Sequence, residues 1–411
     1  MTIHELVRSA SVIRETSAPE VSVAVRPFPL VATALLLAMT LIWPATADAQ
    51  DVRRSLELTF SSPGARSIGV AGAFAPLADD ATAAFANPAG LVQLVRPELS
   101  LELRLRATIE SDEEGQSTMG AVSGVSFFSV VVPMRRWSLA LYGHKLASLD
   151  FESSSGTQAG AGLAHGSGGE RLDGIDVGRL GLSVATKLRE NLSLGFGVSY
   201  FDSTIELAPM DGSAEGKREA ASNDWAVNAG VLWCPSERLR LGAFYRDGPG
   251  LEIEPQGSPS ARATATRISR RLELPDSYGA GAAFRSRNGA LTVAFEWDHV
   301  RYSSLVPGLA TLAASDPALS VKDADEPHLG AEYAFLKVNP VLAARGGVWY
   351  EPDHRVCSST FGSTYQCVTG SAAQVHVTAG FGMAFRRLQL DIGVDQSREL
   401  AAFSISGILS F

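Results

Sequence analysis

The chain has 411 residues, a formal net charge of −9 and 45% hydrophobic residues. A mildly acidic chain without a basic stripe lacks the charge that nucleic acid attracts, so we expect no nucleic-acid partner. After residue 50 no segment has the roughly 20 unbroken apolar residues that a membrane helix needs. This excludes helical spans but leaves membrane strands open, because a barrel strand is apolar only at every second residue.

The N-terminal part has the features of an export signal. Arg26 precedes the uncharged run PFPLVATALLLAMTLIWPATA, and Ala47-Asp48-Ala49 fits the small-x-small rule for cleavage. We predict a signal peptide over residues 1–49, with Gln50 as the first mature residue. A retained membrane anchor is the alternative, although the apolar core from Leu30 to Trp43 is short for a span. The position of the true start codon stays open.

A short helical segment follows, ADDATAAFANPAGL from Ala78 to Leu91. Asp79 or Asp80 can cap a helix from Ala81 to Phe85, and Asn87-Pro88 ends it. An element this short cannot form a domain, so it must bury its Ala/Phe face against something else. The interior of a barrel built by the strands that follow is the nearest place.

From residue 98 onward, apolar and polar residues alternate. In ELSLELRLR, Leu99, Leu101, Leu103 and Leu105 share one face and charged residues share the other. The last segment, AAFSISGILSF, alternates in the same way. It ends on Phe411, which resembles the C-terminal signature of bacterial outer-membrane barrels.

The connections distinguish a barrel from a soluble sandwich, which has the same alternation. Short turns alternate with long polar stretches at roughly 108–121, 148–175, 204–223, 247–276, 303–326 and 352–373. Short turns on one side and long loops on the other are typical of a transmembrane barrel. We therefore predict an all-β fold, a 14-stranded antiparallel transmembrane β-barrel over residues 97–411, with short helices in the segment before it.

The polar face of each strand then points into the barrel. Charges of both signs occur there, so they can pair across the lumen, and a charge at the lipid midplane would cost about 2–4 kcal/mol. The charged residues expected inside are Glu102, Arg104, Arg106, Arg179, Lys187, Arg238, Arg240, Glu296, Asp298, Glu332, Arg345, Asp391 and Asp395.

The chain has three cysteines. Cys357 and Cys367 bracket a polar, turn-rich segment, and an exported chain meets an oxidising compartment, so we predict a loop disulfide between them. Cys234 stands alone at a strand end, and we expect a small buried or lipid-facing residue there.

A three-part pattern before the first strand resembles the N-terminal hatch of the outer-membrane FadL/TodX-like transporters of long-chain fatty acids and hydrocarbons. Its parts are G-A-R-x-x-G-x-A-G-A-F, A-D-D-A-T and N-P-A-G-L. LPDSYGAGAAFR from Leu274 and the later HLGAEYAF agree in character. The most specific part is Asn87-Pro88-Ala89, which we group with Asp79 and Asp80 as the hatch motif. The resemblance implies that residues 50–96 form a hatch, or plug, inside the barrel.

The resemblance implies passive uptake of long-chain fatty acids or other hydrophobic compounds, without a cofactor or an energy source. It places the chain as a multi-pass barrel in the outer membrane of a Gram-negative bacterium. The expected partners are outer-membrane lipid and a hydrophobic small molecule such as a long-chain fatty acid, and a monomer is expected. Secretion-accessory barrels of the PorV type share much of the hatch pattern, so a non-transporting barrel that binds a protein partner is the alternative.

Transport of this kind requires an apolar route inside a mainly polar lumen. By parity, five candidate route residues point inward: Tyr142, Phe201, Phe244, Val300 and Trp349. Packing against the hatch is the alternative for each. The loop after Tyr302 is unusually apolar, and exposed apolar patches often bind ligands. Its leucines could form an external capture loop or pack onto the barrel rim, and the candidates are Leu305, Val306, Leu309 and Leu312.

Catalytic and metal-binding patterns are missing from the sequence. The histidines of the mature chain show no H-x-x-x-H spacing and no C-x-x-C partner, and there is no G-x-S-x-G motif. We therefore predict a protein that is not an enzyme and has no metal site or catalytic residues. The cargo and the position of any lateral opening stay open.

Overall fold

The computed structural model describes residues 62–111, 117–150, 170–209, 218–253, 270–312, 319–358, 366–369 and 372–411. The predicted signal peptide, residues 1–49, and residues 50–61 of the predicted hatch lie outside the described residues. So do parts of the long connections, including all of residues 151–169 and 254–269.

Most of the described chain is β-strand, and fourteen strands close into one antiparallel barrel. Five short strands, β8, β9, β12, β15 and β16, lie outside the barrel in the long connections. The strands in chain order are β1 (Glu98–Ser111), β2 (Ser117–Pro133), β3 (Trp137–Asp150), β4 (Glu170–Arg189), β5 (Leu192–Pro209), β6 (Arg218–Trp233), β7 (Leu239–Arg246), β8 (Gly250–Ile253), β9 (Arg270–Glu273), β10 (Ser277–Arg285), β11 (Leu291–Val300), β12 (Leu319–Ser320), β13 (Ala324–Phe335), β14 (Val341–Glu351), β15 (Val356–Ser358), β16 (Gln366–Thr369), β17 (Gln374–Ala384), β18 (Leu388–Gln396) and β19 (Leu400–Ser410).

The barrel closes by pairing of its first and last strands, from Glu98 opposite Ser410 to Thr108 opposite Leu400. This pairing supplies partners for the backbone N–H and C=O groups of the first and last strands, which would otherwise lack them in lipid. The prediction of a 14-stranded antiparallel barrel is confirmed.

Alternation places apolar side chains outside and polar ones inside. On β1, Leu101 and Leu103 are 47% and 49% exposed on the outer surface, whereas Glu102 between them is fully buried. Outward aromatic side chains follow the same rule. They include Trp137, Trp225, Trp233, Tyr245, Trp297, Tyr333 and Tyr350.

Two charged residues depart from the parity prediction. Lys187 and Arg238 are exposed rather than inward. Both lie beside short turns, where the strand ends and the side chain reaches solvent.

Helices are few among the described residues, and none has the length and apolar character to cross a membrane. The helices are α1 (Ala65–Gly69), α2 (Ala83–Ala86) and α3 (Leu305–Leu312), with 3₁₀ turns at Pro88–Gln93 and Tyr302–Ser304. Helix α2 starts later than predicted. Asp80 still accepts a hydrogen bond from the Thr82 backbone N–H at 2.9 Å, just before the helix begins.

Residues 62–96, which we call the interior segment, lie inside the barrel. From Ser62 to Val92 every residue except Gly72 is buried. The segment is hydrogen-bonded to strands on all sides of the barrel. For example, Glu102 of β1 accepts from Gly64 N–H at 3.0 Å, and Glu296 of β11 accepts from Ala75 N–H at 2.7 Å.

Candidate functional site

The wall makes room for the interior segment with small inward residues. A Cβ atom added at five wall glycines would lie 2.0 to 2.5 Å from atoms of the segment, closer than any real contact. These are Gly195, Gly230, Gly242, Gly330 and Gly393. Inward serines then donate to the carbonyl groups of the segment, with Ser129 bonded to Ala81 O at 2.9 Å and Ser183 to Ala84 O at 2.8 Å. Buried backbone polar groups need such partners.

The Asn87-Pro88-Ala89 motif fixes the turn after helix α2. The Asn87 side chain accepts from Ala89 N–H at 3.2 Å, and Pro88 takes the first position of the 3₁₀ turn, where no backbone donor is needed. The Asn87 amide also donates to Ala75 O at 3.0 Å and to Val231 O of strand β6 at 3.1 Å. One side chain therefore joins two parts of the interior segment to the wall.

Asp79 is a charged anchor rather than a helix cap. It pairs with Arg66 of helix α1 and accepts from Arg240 of strand β7 at 3.2 Å. Burial alone would raise the pKa of the Asp79 carboxyl group, but the two guanidinium groups outweigh it and hold the pKa well below its usual value.

The same ion-pair network continues across the barrel interior. Arg66 Nε lies 2.9 Å from Glu332 Oε2 of strand β13, and Arg345 Nε lies 2.7 Å from the same oxygen. Arg345 Nη1 is also 2.7 Å from Asp391 Oδ1 of strand β18. Buried charges of both signs thus tie the interior segment to three regions of the wall.

Phe85, in helix α2, lies in a pocket of cationic and aromatic groups that we call the Phe85 site. The guanidinium carbons of Arg179 and Arg246 lie 4.7 and 4.5 Å from the centre of the Phe85 ring. The rings of His144 and Tyr142 lie 4.6 and 6.3 Å away. In the described part of the chain, the buried Arg179 Nε and His144 Nδ1 atoms have no hydrogen-bond partner.

An apolar group that we call the outer cluster fills the barrel at its long-connection end. It combines inward wall residues with residues of the connections. Its members are Leu146, Val177, Phe201, Ala226, Leu251, Leu272, Leu274, Val300, Tyr302, Leu305, Leu309, Ala324 and Val356. Arg179 joins it to the Phe85 site, since its guanidinium carbon also lies 4.3 Å from the Phe201 ring.

The five candidate route residues all point into the barrel but do not form one line. Phe201 and Val300 belong to the outer cluster, and Tyr142 packs with Phe85 and the interior segment. Phe244 lies under Arg246, with its ring 3.8 Å from the guanidinium carbon. Trp349 stacks on His376 at 3.7 Å, away from the Phe85 site.

The predicted capture loop forms helix α3. Leu305 and Leu309 are 4% and 3% exposed, because they are buried in the outer cluster rather than displayed on the surface. Val306 is partly buried, and the side chain of Leu312 lies outside the described residues. Leu305 and Leu309 therefore pack onto the barrel rim, and the role of the segment in capture stays a prediction.

A small cavity of about 70 Å³ lies between the interior segment and the outer cluster. Asp298, Glu326, Glu351 and Asp395 line it, together with His328. Trp349 and Val300 also reach it.

The wall has a gap between β2 and β3. Their ladder runs from Pro133 opposite Ser138 to Phe127 opposite His144, and the described residues show no pairing between them beyond that point. Strand β2 nevertheless continues beside β1 to Ser117, and β3 continues beside β4 to Asp150. The gap therefore begins at His144, beside the Phe85 site.

Cys357 of β15 is disulfide-bonded, and its Cα partner across the ladder is Cys367 of β16. The side chain of Cys367 lies outside the described residues, so the predicted pairing stays a prediction. Cys234 is a free, partly buried cysteine.

Sequence reasoning missed Phe85, Arg179 and Arg246 as one site. Parity showed that Arg179 points inward, but not which ring it would meet. The signal that could have located the interior segment is the row of inward glycines, because small residues recur at inward positions of neighbouring strands.

No protein-family model matches the sequence, and no curated protein matches it. Solved structures do match. A FadL homologue from Pseudomonas aeruginosa is 14% identical, with a TM-score of 0.63, and the match covers 87% of this chain and 99% of that one.

Two toluene transporters match as well. TbuX from Ralstonia pickettii is 14% identical over 85% of this chain and 99% of its own, with a TM-score of 0.55. TodX from Pseudomonas putida is 15% identical over 85% and 98%, with a TM-score of 0.54. The chain therefore has the fold of the FadL-type outer-membrane barrels.

Proposed function

We propose that the protein is a passive channel in the outer membrane of a Gram-negative bacterium, and that it takes up long-chain fatty acids or other hydrophobic compounds. In this proposal residues 1–49 are a signal peptide, residues 50–96 a hatch and residues 97–411 the barrel. The observation that carries it is the outer cluster, a group of apolar side chains at the barrel mouth. Its member Phe201 contacts Arg179, which in turn contacts Phe85 of the interior segment.

The outer cluster suits the first step, capture of an apolar tail. Burial of apolar surface gives about 25 cal/mol per Å², so an alkyl chain that packs against the outer cluster is favoured over one in water. Helix α3 lies in a connection rather than in the wall, so it can move outward while the barrel stays closed. No cofactor is required, since the gradient drives the movement.

The Phe85 site suits the second step, recognition of an anionic head group. Arg179 and Arg246 are buried, and both guanidinium groups face the ring of Phe85. A carboxylate could take the place of this ring as the partner of the two cations. This arrangement favours a fatty acid over a neutral hydrocarbon such as the toluene named for TbuX and TodX.

The gap between β2 and β3 suits the third step, exit into the membrane. It opens beside His144, so a tail at the Phe85 site would reach lipid without crossing the ion pairs of the interior segment. Lateral exit also keeps an apolar cargo out of water.

Cross-linking the gap tests the route. In a Cys234→Ser background, Val125→Cys on β2 and Lys145→Cys on β3 flank the gap, and both native residues are exposed on the described strands. A short bismaleimide would join them. We expect the cross-link to reduce uptake of labelled oleate at least tenfold in a host that lacks its own transporter.

The matched control joins strands that are already paired. Val130→Cys and Leu141→Cys lie opposite each other on the outer surface of the same two strands. This cross-link should leave uptake unchanged. If the gap cross-link also leaves oleate uptake unchanged, lateral exit is wrong, and if the uncross-linked protein confers no uptake, the transport proposal itself is wrong.

A further inference from the structure

Four ionisable side chains meet on the inner face of β11 and β13, next to the small cavity. Glu296 lies opposite His328, and Asp298 lies opposite Glu326. Directly opposed residues of an antiparallel pair have Cβ atoms about 4.5–5.5 Å apart, so these four side chains form a compact square. We call it the Glu-Asp-Glu-His site.

The square brings three carboxylates together beside the cavity. Two more acidic residues, Glu351 and Asp395, and two arginines, Arg104 and Arg106, also line that cavity. Opposed like charges destabilise a sheet, and here two carboxylates face each other in the barrel interior. The negative charges of Glu351 and Asp298 repel that of Glu326. Arg246 lies near Glu296 and Asp298 and attracts both carboxylates. Buried charges need compensation, either by a proton or by a bound cation.

His328 presents an unused nitrogen to this square. Its Nδ1 atom lies 2.7 Å from the carbonyl oxygen of Ala71, which can only accept, so Nδ1 carries the hydrogen. In the neutral ring Nε2 then has a free lone pair. The side chain is 7% exposed, and within the described residues Nε2 has no hydrogen-bond partner.

The Nε2 atom lies 3.9 Å from Asp298 Oδ2 and 4.0 Å from Glu326 Oε2. A zinc ion binds imidazole nitrogen at about 2.0–2.1 Å and carboxylate oxygen at about 2.0–2.2 Å in a tetrahedral arrangement, so two of its ligand atoms are about 3.3–3.6 Å apart. Each oxygen therefore needs to approach Nε2 by about half an ångström to share a zinc ion with it. A histidine whose other nitrogen donates to a backbone carbonyl is also the usual arrangement of a metal ligand.

We propose that the Glu-Asp-Glu-His site binds one divalent transition-metal cation, for which Zn²⁺ is the probe, with His328, Asp298 and Glu326 as ligands. Among the described residues, no three such groups already converge at metal-binding distance. Binding therefore draws the carboxylates of Asp298 and Glu326 toward Nε2. All three side chains line the cavity, which leaves room for this movement.

The site is shared between the wall and the interior segment. His328 holds the Ala71 carbonyl group, and Glu296 Oε2 accepts from Ala75 N–H at 2.7 Å. A bound cation therefore fixes His328, and through it the Ala71 end of residues 71–75, to the wall, while Glu296 holds the Ala75 end. This role goes beyond the proposed function, because passive passage of a hydrophobic compound requires no metal.

Zn²⁺ binding to the full chain in detergent tests the proposal. The protein is purified without a histidine tag, stripped with EDTA and titrated calorimetrically at pH 7, with bound zinc counted by mass spectrometry after dialysis. We expect one zinc per chain. Glu326→Gln keeps the shape of the side chain and removes one ligand charge, so it should weaken binding at least tenfold.

The matched control removes a surface histidine. His299 lies 2.8 Å from Asp325 and 4.0 Å from Asp323 at the barrel rim, where zinc could bind adventitiously. His299→Ala should retain the zinc. The proposal fails if the wild-type chain binds no zinc, which would mean that protons compensate the carboxylates. It also fails if His299→Ala loses the zinc while Glu326→Gln keeps it.

Hydrogen exchange tests the link to the interior segment. Zinc should slow amide exchange in residues 71–75 of the wild-type chain and leave it unchanged in Glu326→Gln. Equal exchange with and without zinc in the wild-type chain would refute the coupling. The heat-modifiable mobility of each variant on gels verifies that its barrel has closed.

Discussion

Replacement of Phe85 should loosen the interior segment at the proposed route. The ring is 1% exposed, and Phe→Ala at such a site costs about 3–5 kcal/mol. Arg179 and Arg246 contact the ring through desolvated cation–π interactions, which are worth up to about 2 kcal/mol each. Their loss places the cost at the upper end of that range. A loss of about 5 kcal/mol raises the population of a locally open state roughly four-thousandfold.

Single-channel recording in planar bilayers measures this effect directly. We expect Phe85→Ala to open far more often than the wild-type barrel and to take up oleate faster. Phe85→Leu separates the two contributions, because it keeps most of the apolar volume and removes the ring face that the guanidinium groups contact. Its opening frequency should lie between those of the wild type and Phe85→Ala.

Phe74→Ala is the matched control, since Phe74 is another fully buried ring of the interior segment but belongs to a different apolar cluster. It should loosen the segment without opening the route to the gap between β2 and β3. If Phe85→Ala folds and shows unchanged conductance and uptake, or if Phe74→Ala has the same effect on oleate uptake, the role assigned to Phe85 is wrong.

Four further predictions follow from the same contacts. Asp79→Asn removes one counter-charge from two buried guanidinium groups, those of Arg66 and Arg240, at a cost of about 3–5 kcal/mol. Limited proteolysis should therefore cut the interior segment much faster. Unchanged cleavage would exclude an anchoring role for Asp79. The pKa of Asp79 is lower in the folded than in the unfolded chain, so the charged Asp79 stabilises the fold. This stabilisation is complete above the unfolded pKa of about 3.9 and is lost progressively as the pH falls below that value. Hydrogen-exchange protection of the interior segment should therefore be equal at pH 7 and pH 5 and reduced at pH 3. Gly230→Ala places a Cβ atom 2.0 Å from Asn87 Oδ1 and should lower the yield of closed barrel. Gly407→Ala is the control and should not lower it, because the atom nearest to its Cβ lies 3.6 Å away. Equal yields of the two variants would contradict the close packing. Arg179→Met should reduce oleate uptake at least tenfold and leave toluene permeation unchanged, and a parallel loss of both would argue against head-group recognition.

Much of the barrel could be predicted from the sequence because its cause is local. Lipid on one side and a polar interior on the other impose alternation on every strand, so ELSLELRLR shows which side chains face out before any partner is known. Turn and loop lengths then give the strand number. Among the side chains that the structure describes, the parity prediction fails where a strand ends, as at Lys187 and Arg238, because the two-sided environment ends there too.

The candidate site was less accessible to sequence reasoning. The motif around Asn87 marked the interior segment, and parity placed Tyr142, Phe201 and Phe244 inside the barrel. Neither could show that Phe85 lies between Arg179 and Arg246, which come from strands β4 and β7. The apolar loop after Tyr302 was visible, but its direction was not, and Leu305 and Leu309 turned inward to the outer cluster.

The sequence by itself determined a closed antiparallel cylinder with apolar residues outside, because each strand responds to lipid and lumen independently of its distant neighbours. Only the tertiary structure decided where the cylinder closes, which wall residues hold the interior segment and where β2 and β3 separate. Those features depend on side chains far apart in the chain, such as Arg66 and Glu332, and no local pattern encodes which of them will meet.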